Sequence, residues 1–158
     1  MRKVWLHGLA GGIFSVVALM SACSTEKPTT MADLNKRDVK LPDGAIIVCE
    51  TMTGKMEMLR GMMFRDSLAP DKGMLFIHAQ VAQVPYYMYQ VRIPLDIIWM
   101  NKEHRVVEIV PDTPPCNDSR KASECPQYGG NANAQFVLEL AGGVAAKHGL
   151  KLGDRLEW

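Results

Sequence analysis

Two short apolar runs limit the fold most: Gly73-Met74-Leu75-Phe76-Ile77 and Leu95-Asp96-Ile97-Ile98-Trp99-Met100. A tyrosine-rich segment and an Ile93-Pro94-Leu95-Asp96 turn lie between them. Runs this short, bounded by glycine, proline or polar residues, read as buried strands. Others follow the same pattern. Ala45–Glu50 stands behind a Pro-Asp-Gly turn, and Val84–Gln90 starts beside Pro85. Arg105–Val110 returns after a loop at 101–104, and Asn133–Leu140 and Arg155–Trp158 complete the set. Two short helices interrupt the strands. One is predicted over Lys55–Arg60, with Thr53 as its cap and Gly61 as its stop. The other is predicted over Gly142–His148 and closes on Gly149. About seven short strands with two short helices predict a mostly β domain, a small jelly-roll-like antiparallel sandwich or barrel.

The first residues read as an address. Arg2 and Lys3 precede an apolar run from Trp5 to Ala22, which ends on Ser21-Ala22 directly before Cys23. This is the layout of a secretory signal peptide. Leu19-Met20-Ser21-Ala22-Cys23 is similar to the lipobox of bacterial lipoproteins. Residues 1–22 are therefore expected to be a cleaved lipoprotein signal peptide. The alternative is a retained membrane span, but a run of about 18 residues is at the low end for crossing a bilayer. On the lipoprotein reading, Cys23 carries acyl chains and anchors the protein to the membrane. Each buried methylene contributes about 0.8 kcal/mol, so several chains hold firmly. Ser24, where an Asp would retain the protein at the inner membrane, resembles the pattern for outer-membrane sorting, facing the periplasm in a diderm cell. Residues 23–42 are polar, carry two prolines and show no apolar period, so they are expected to be a flexible tether; the alternative is that part of them forms an edge strand of the domain. That leaves 43–158 as the folded domain. The net charge is +1, and losing Arg2 and Lys3 brings it near −1, which gives no electrostatic footprint for nucleic acid.

Cys116 and Cys125 lie in the polar loop Pro-Pro-Cys-Asn-Asp-Ser-Arg-Lys-Ala-Ser-Glu-Cys-Pro-Gln-Tyr-Gly-Gly. Such a loop has little to bury, and in an oxidising compartment a disulfide is its natural staple. No Cys-x-x-Cys or nearby histidine pair favours redox or zinc chemistry instead. Cys49 is expected to be a buried thiol packed as a small hydrophobe.

From Arg60 onward the chain carries Arg60-Gly61-Met62-Met63-Phe64-Arg65, Leu68, Gly73-Met74-Leu75-Phe76 and Ile93-Pro94-Leu95-Asp96. Val137-Leu138-Glu139-Leu140, Gly143 and Leu150-Lys151-Leu152-Gly153-Asp154 follow. These spaced motifs resemble the DUF192 family of proteins of unknown function. The resemblance covers roughly residues 45–158 and implies a compact β-rich jelly roll or small barrel. It implies no reaction. Where that family commonly shows a Trp-Met-Lys-Asn-Thr-like segment, this chain has Tyr87-Met88-Tyr89-Gln90-Val91. Any polar ligand contact made by the family segment is altered here.

Asp96 precedes an apolar strand, and a buried carboxylate needs a partner. Arg60, Arg65 and Arg92 are the candidates, either as a ligand-binding Arg–Asp pair in a cleft or as a structural ion pair. Tyr87 and Tyr89 share one face of an extended strand and are candidate contacts for a glycan; the alternative is ordinary sheet packing. Met52, Met56, Met58, Met62 and Met63 cluster, and thioethers suit Cu(I), yet methionine is also a routine core filler. No metal or cofactor is expected. His78, His104 and His148 are scattered, and no hydrolase triad order, phosphate loop or dinucleotide fingerprint occurs. Glu57, Glu108 and Glu139 are bare candidate carboxylates for glycoside hydrolysis. The reading that follows is a noncatalytic binding or accessory module for an envelope polymer or protein. The alternative is a small hydrolase using Asp96 with a nearby arginine.

Overall fold

The computed structural model describes residues 35–116 and 121–158. The expected signal peptide, the Cys23 anchor and most of the expected tether lie outside those residues. Among the described residues no helix is long and apolar enough to cross a membrane.

In chain order the elements are β1 (Lys36–Lys40), β2 (Ile46–Met52), α1 (Lys55–Arg60), β3 (Lys72–Ala82), β4 (Tyr86–Tyr87) and β5 (Leu95–Met100). Then come β6 (Val106–Thr113), a 3-10 turn (Ala122–Glu124), β7 (Gln127–Tyr128), β8 (Ala134–Ala141) and α2 (Val144–Lys147). Six strands form one sheet in the order β1-β2-β3-β8-β5-β6, and β4 and β7 form a separate two-stranded ribbon. β2 and β3 run parallel, while the other pairs of the large sheet are antiparallel. A parallel pair needs a long crossover, and α1 with its following loop supplies it. The protein is therefore mostly β with two short helices, as expected, but its main sheet is mixed and open rather than a closed antiparallel barrel.

The sheet is buried on both faces. Every residue of β5 is buried, which explains why that strand reads as an unbroken apolar run rather than an alternating one. Cys49, Leu75, Ile98, Leu138 and Leu140 pack on one face beneath Val144, Leu150 and Leu156. Met74, Phe76, Ile97, Trp99 and Val137 pack on the other, beneath Met62, Met88 and Val91. Helices, loops and the small ribbon cover these faces where a sandwich would have a second sheet.

The structure corrects four local expectations. The tether does not extend to residue 42: β1 pairs with β2 in register from Lys36↔Glu50 to Lys40↔Ile46 and buries Val39. Its charged neighbours suit an exposed edge, where they discourage pairing with another chain. The strand expected over Val84–Gln90 shrinks to β4, because Pro85 lacks a donor and Gln90 turns away at φ 57°. The strand expected at Arg155–Trp158 is reduced to single bridges, Arg105↔Arg155 and Lys40↔Glu157. Thr53 does not cap α1; Gly54 does, and its N–H donates to the Glu57 carboxylate at 3.2 Å. The expected Cys116–Cys125 disulfide is present, with 6.1 Å between the Cα atoms, and Cys49 is a free, buried thiol.

Candidate functional site

None of the α1 residues is buried. Met58, packed partly against the core, and the exposed Leu59 wall an open cleft. Phe76 and Ala79 of β3 form a second wall, and Val84, Tyr87, Tyr89 and Val91 a third. The volume is about 400 Å³, within the range of about 300–1,000 Å³ common for small-ligand sites.

The tyrosine wall is held from behind. Tyr86 and Tyr87 pair with Tyr128 and Gln127 across the small ribbon. Tyr89 bridges to Cys116, and the Gln90 N–H donates to the Cys116 carbonyl at 2.9 Å. The disulfide thus ties the far side of its loop to the cleft wall. Trp99 Nε1 donates to the Val84 carbonyl at 2.9 Å. Gly129 lies against the Trp99 ring at φ 56°, where an added Cβ would come within 2.3 Å of it. Glycine is required there on both counts.

At the floor stands Glu139. On β8 it is opposite Met74 of β3 and Ile97 of β5, so the sheet presents it to the cleft from an apolar row. It is 6% exposed, and its Oε2 has no hydrogen-bond partner. Burial pushes its carboxyl up to about 8, against a smaller opposing pull from Arg65. Arg65 does not satisfy it: its two terminal nitrogens donate to Glu50, at 2.5 and 2.7 Å. That bidentate contact holds the Glu50 carboxyl below its ordinary value and raises the Arg65 guanidinium. At neutral pH Glu139 is therefore largely a neutral acid.

Two further polar groups line the same cleft. His78 Nε2 lies 3.1 Å from the Tyr86 hydroxyl. Burial lowers the His78 pKa, so the imidazole is neutral at neutral pH. Burial, and secondarily the Glu139 charge, raise the Tyr86 phenol. The Tyr86 ring meets Phe76 and Trp99 edge-on, at 5.2 and 5.8 Å, a favourable aromatic geometry.

The residues singled out by sequence separate. Asp96 is fully buried, but no arginine pairs with it. Its carboxylate accepts from the backbone N–H groups of Asp112 (2.8 Å), Gly143 (3.0 Å) and Ala145 (2.7 Å). It joins β6 to the start of α2 and lines neither of the two main clefts, so it is structural. Arg65 is committed to Glu50. Arg92 is exposed, donates to Asp66 at 2.8 Å and lies 5.9 Å over the Phe64 ring. Arg60, exposed and without an ion pair among the described residues, stands at the cleft mouth with Lys55. Tyr87 and Tyr89 are half-buried cleft walls rather than a flat exposed platform. Glu57 caps α1, and Glu108 accepts from Asn131 and Ala132. The residues that sequence reasoning undervalued are Glu139 and His78. Glu139 carried a signal, as the lone charge in Phe136-Val137-Leu138-Glu139-Leu140.

Chemically the cleft offers apolar walls and one deep carboxyl able to donate or accept. Beside it, the His78 imidazole is engaged with the Tyr86 hydroxyl. Among the described residues no cluster of three or more His, Cys, Asp or Glu side chains is placed to hold a metal ion.

The profile of the DUF192 family, described as uncharacterised ACR, matches residues 39–158. A protein of unknown function from Novosphingobium aromaticivorans superposes with a TM-score of 0.68 at 29% identity, covering 78% of this chain and 85% of its own. A protein from Sinorhizobium meliloti described as a candidate transcription regulator gives 0.68 at 28% identity, covering 77% and 92%. No curated protein matches the chain.

Proposed function

This chain belongs to the uncharacterised DUF192 family, and from that premise we propose that it is a noncatalytic binding module whose ligand places an apolar part in the cleft above Glu139. The observation that carries the reading is the unpartnered Glu139 carboxyl at the floor of an apolar cleft. An orphaned buried polar group costs about 1–3 kcal/mol, and a ligand that satisfies it recovers that cost. The hydrolase alternative loses its support, because Asp96 is occupied by three backbone donors and has no arginine.

The proposed setting is the bacterial cell envelope, with the protein anchored through a lipidated Cys23 and facing the periplasm in a diderm cell. The ligand-bearing partner is then an envelope polymer or protein. The leader sequence supports this address, as does the Cys116–Cys125 disulfide, a bond that persists in oxidising compartments. Cys23→Ser should move the protein from the membrane to the soluble fraction. Continued membrane retention would point to an uncleaved helix.

Uptake of Nile red, a neutral apolar dye, tests the cleft. The full-length protein should bind it saturably. Ala79→Trp, an exposed position on the cleft wall, should weaken uptake about tenfold or more by filling the space, with little effect on stability. Absence of saturable uptake, or indifference to Ala79→Trp, rejects the binding site.

A further inference from the structure

We propose that the group recognised at the cleft floor is a neutral hydrogen-bond acceptor, an amide, ester or ketone carbonyl on an apolar body, which accepts a hydrogen bond from the Glu139 carboxyl. This rests on the binding reading above and adds the chemical class of the ligand.

The argument starts from what surrounds Glu139. Met74 and Ile97 flank it within the sheet and offer no polar atom. From the loop after α1 comes Arg65, the cation whose charge reaches Glu139, but its two terminal nitrogens are held by Glu50 of β2. From β4 comes Tyr86, whose hydroxyl is taken by His78 of β3. Tyr87 and Tyr89 form the opposite wall, and Lys55 and Arg60 stand exposed at the mouth. The Glu139 Oε2 is thus a buried polar atom with an unmet bond, on a residue that lines a space of about 400 Å³.

Three ligand chemistries can meet a buried carboxyl. A ligand carboxylate would have to carry its charge out of water into the same apolar cleft, where burial opposes an ionised carboxyl as it does on Glu139. A ligand ammonium would need Glu139 to ionise where burial opposes it, after passing Lys55 and Arg60. A carbonyl requires no charge to enter. It accepts from the acid in its neutral form, which burial favours, and its apolar body replaces water against Met58, Leu59 and Phe76. Hydrogen bonding plus apolar burial is the ordinary composition of a small-ligand site.

Calorimetry of the full-length protein with 2-undecanone, decylamine and decanoate tests the class, from about pH 6 to about pH 10. The ketone, which accepts and cannot donate, should bind tightest at the low end and weaken about tenfold as Glu139 loses its proton. Glu139→Gln keeps an N–H donor that cannot ionise, so the pH response of 2-undecanone should flatten. Glu139→Leu removes the polar group and should weaken 2-undecanone about tenfold, while circular dichroism shows the parent's fold. If decylamine binds tightest and gains affinity as pH rises, if decanoate binds tightest, or if Glu139→Leu binds 2-undecanone as the parent does, the proposal is overturned. Those outcomes leave the cleft reading standing as long as Nile red is taken up. Loss of Nile red uptake by the parent protein overturns both.

Discussion

Glu139→Gln should remove a pH dependence that the fold imposes on its own stability. In the unfolded chain the carboxyl titrates near its ordinary value of 4.5, and in the folded protein burial holds it at about 8. Below 4.5 both states are protonated, and the stability associated with the neutral buried acid is fully present. Between 4.5 and 8 the unfolded chain releases the proton while the folded protein retains it, so stability falls as pH rises. Above 8 both states are ionised and the loss is complete. Each unit is about 1.4 kcal/mol, so the whole interval gives an upper bound of about 5 kcal/mol. His78 and His104, both lowered by burial, act in the opposite direction up to their ordinary value of 6.5, where folding no longer requires a proton to be shed. The thiol of Cys49, pushed up to about 12, acts above its ordinary 9. The window from about 6.5 to 8 therefore isolates Glu139, and the expected loss across it is about 2 kcal/mol. With a urea slope of about 1–3 kcal/mol/M for a domain this small, the midpoint should fall by about 1 M. Urea unfolding at a series of pH values measures it. The glutamine variant should be nearly flat over the same window. Parallel profiles for the two proteins would refute the assignment of a buried neutral acid.

Three further outcomes follow from the same contacts. Asp96→Ala should cost about 3–5 kcal/mol in chemical unfolding, since it orphans three backbone donors, at Asp112, Gly143 and Ala145. A loss below about 1 kcal/mol would mean that water replaces the carboxylate there. The Cys116→Ser/Cys125→Ser double variant should lose about 2–3 kcal/mol by the chain-entropy account, and hydrogen exchange should quicken at Gln90, whose N–H rests on the Cys116 carbonyl. Unchanged exchange at Gln90 would separate the staple from the cleft wall. Gly129→Ala should cost at least about 2 kcal/mol, from backbone strain at φ 56° and from the Trp99 contact. A thermal midpoint equal to the parent's would contradict that packing.

Much of the sheet was legible because its central strands are short apolar runs with clear stops: β5 and β8 fall within a residue of their expected limits. The β1 edge was legible only as the alternative to a tether. Its apolar content within the strand is Val39 alone, and charged residues around one buried position look the same in a tether and on a solvated edge. Chain direction was hidden too. Nothing in the sequence between β2 and β3 says that they run parallel; the crossover is simply long enough to allow it. At the site, Asp96 drew attention because a carboxylate before an apolar run needs partners, and that inference was sound. The partners are backbone N–H groups from residues far along the chain, which no side-chain inventory reveals. Glu139 was readable as an anomaly, but whether its neighbours paired with it depended on Arg65 being committed to Glu50.

β8 is the sixth of the six main-sheet strands in sequence but lies between β3 and β5 in space. Until residues 134–141 arrive, β1-β2-β3 and β5-β6 are separate pieces, each with an unpaired edge facing a gap. During synthesis the sheet therefore closes late and all at once. The order of assembly favours slow, non-local folding and exposes two strand edges open to mispairing in the interval. A chain interrupted before Ala134 loses the strand that joins the halves and, with it, the floor of the cleft.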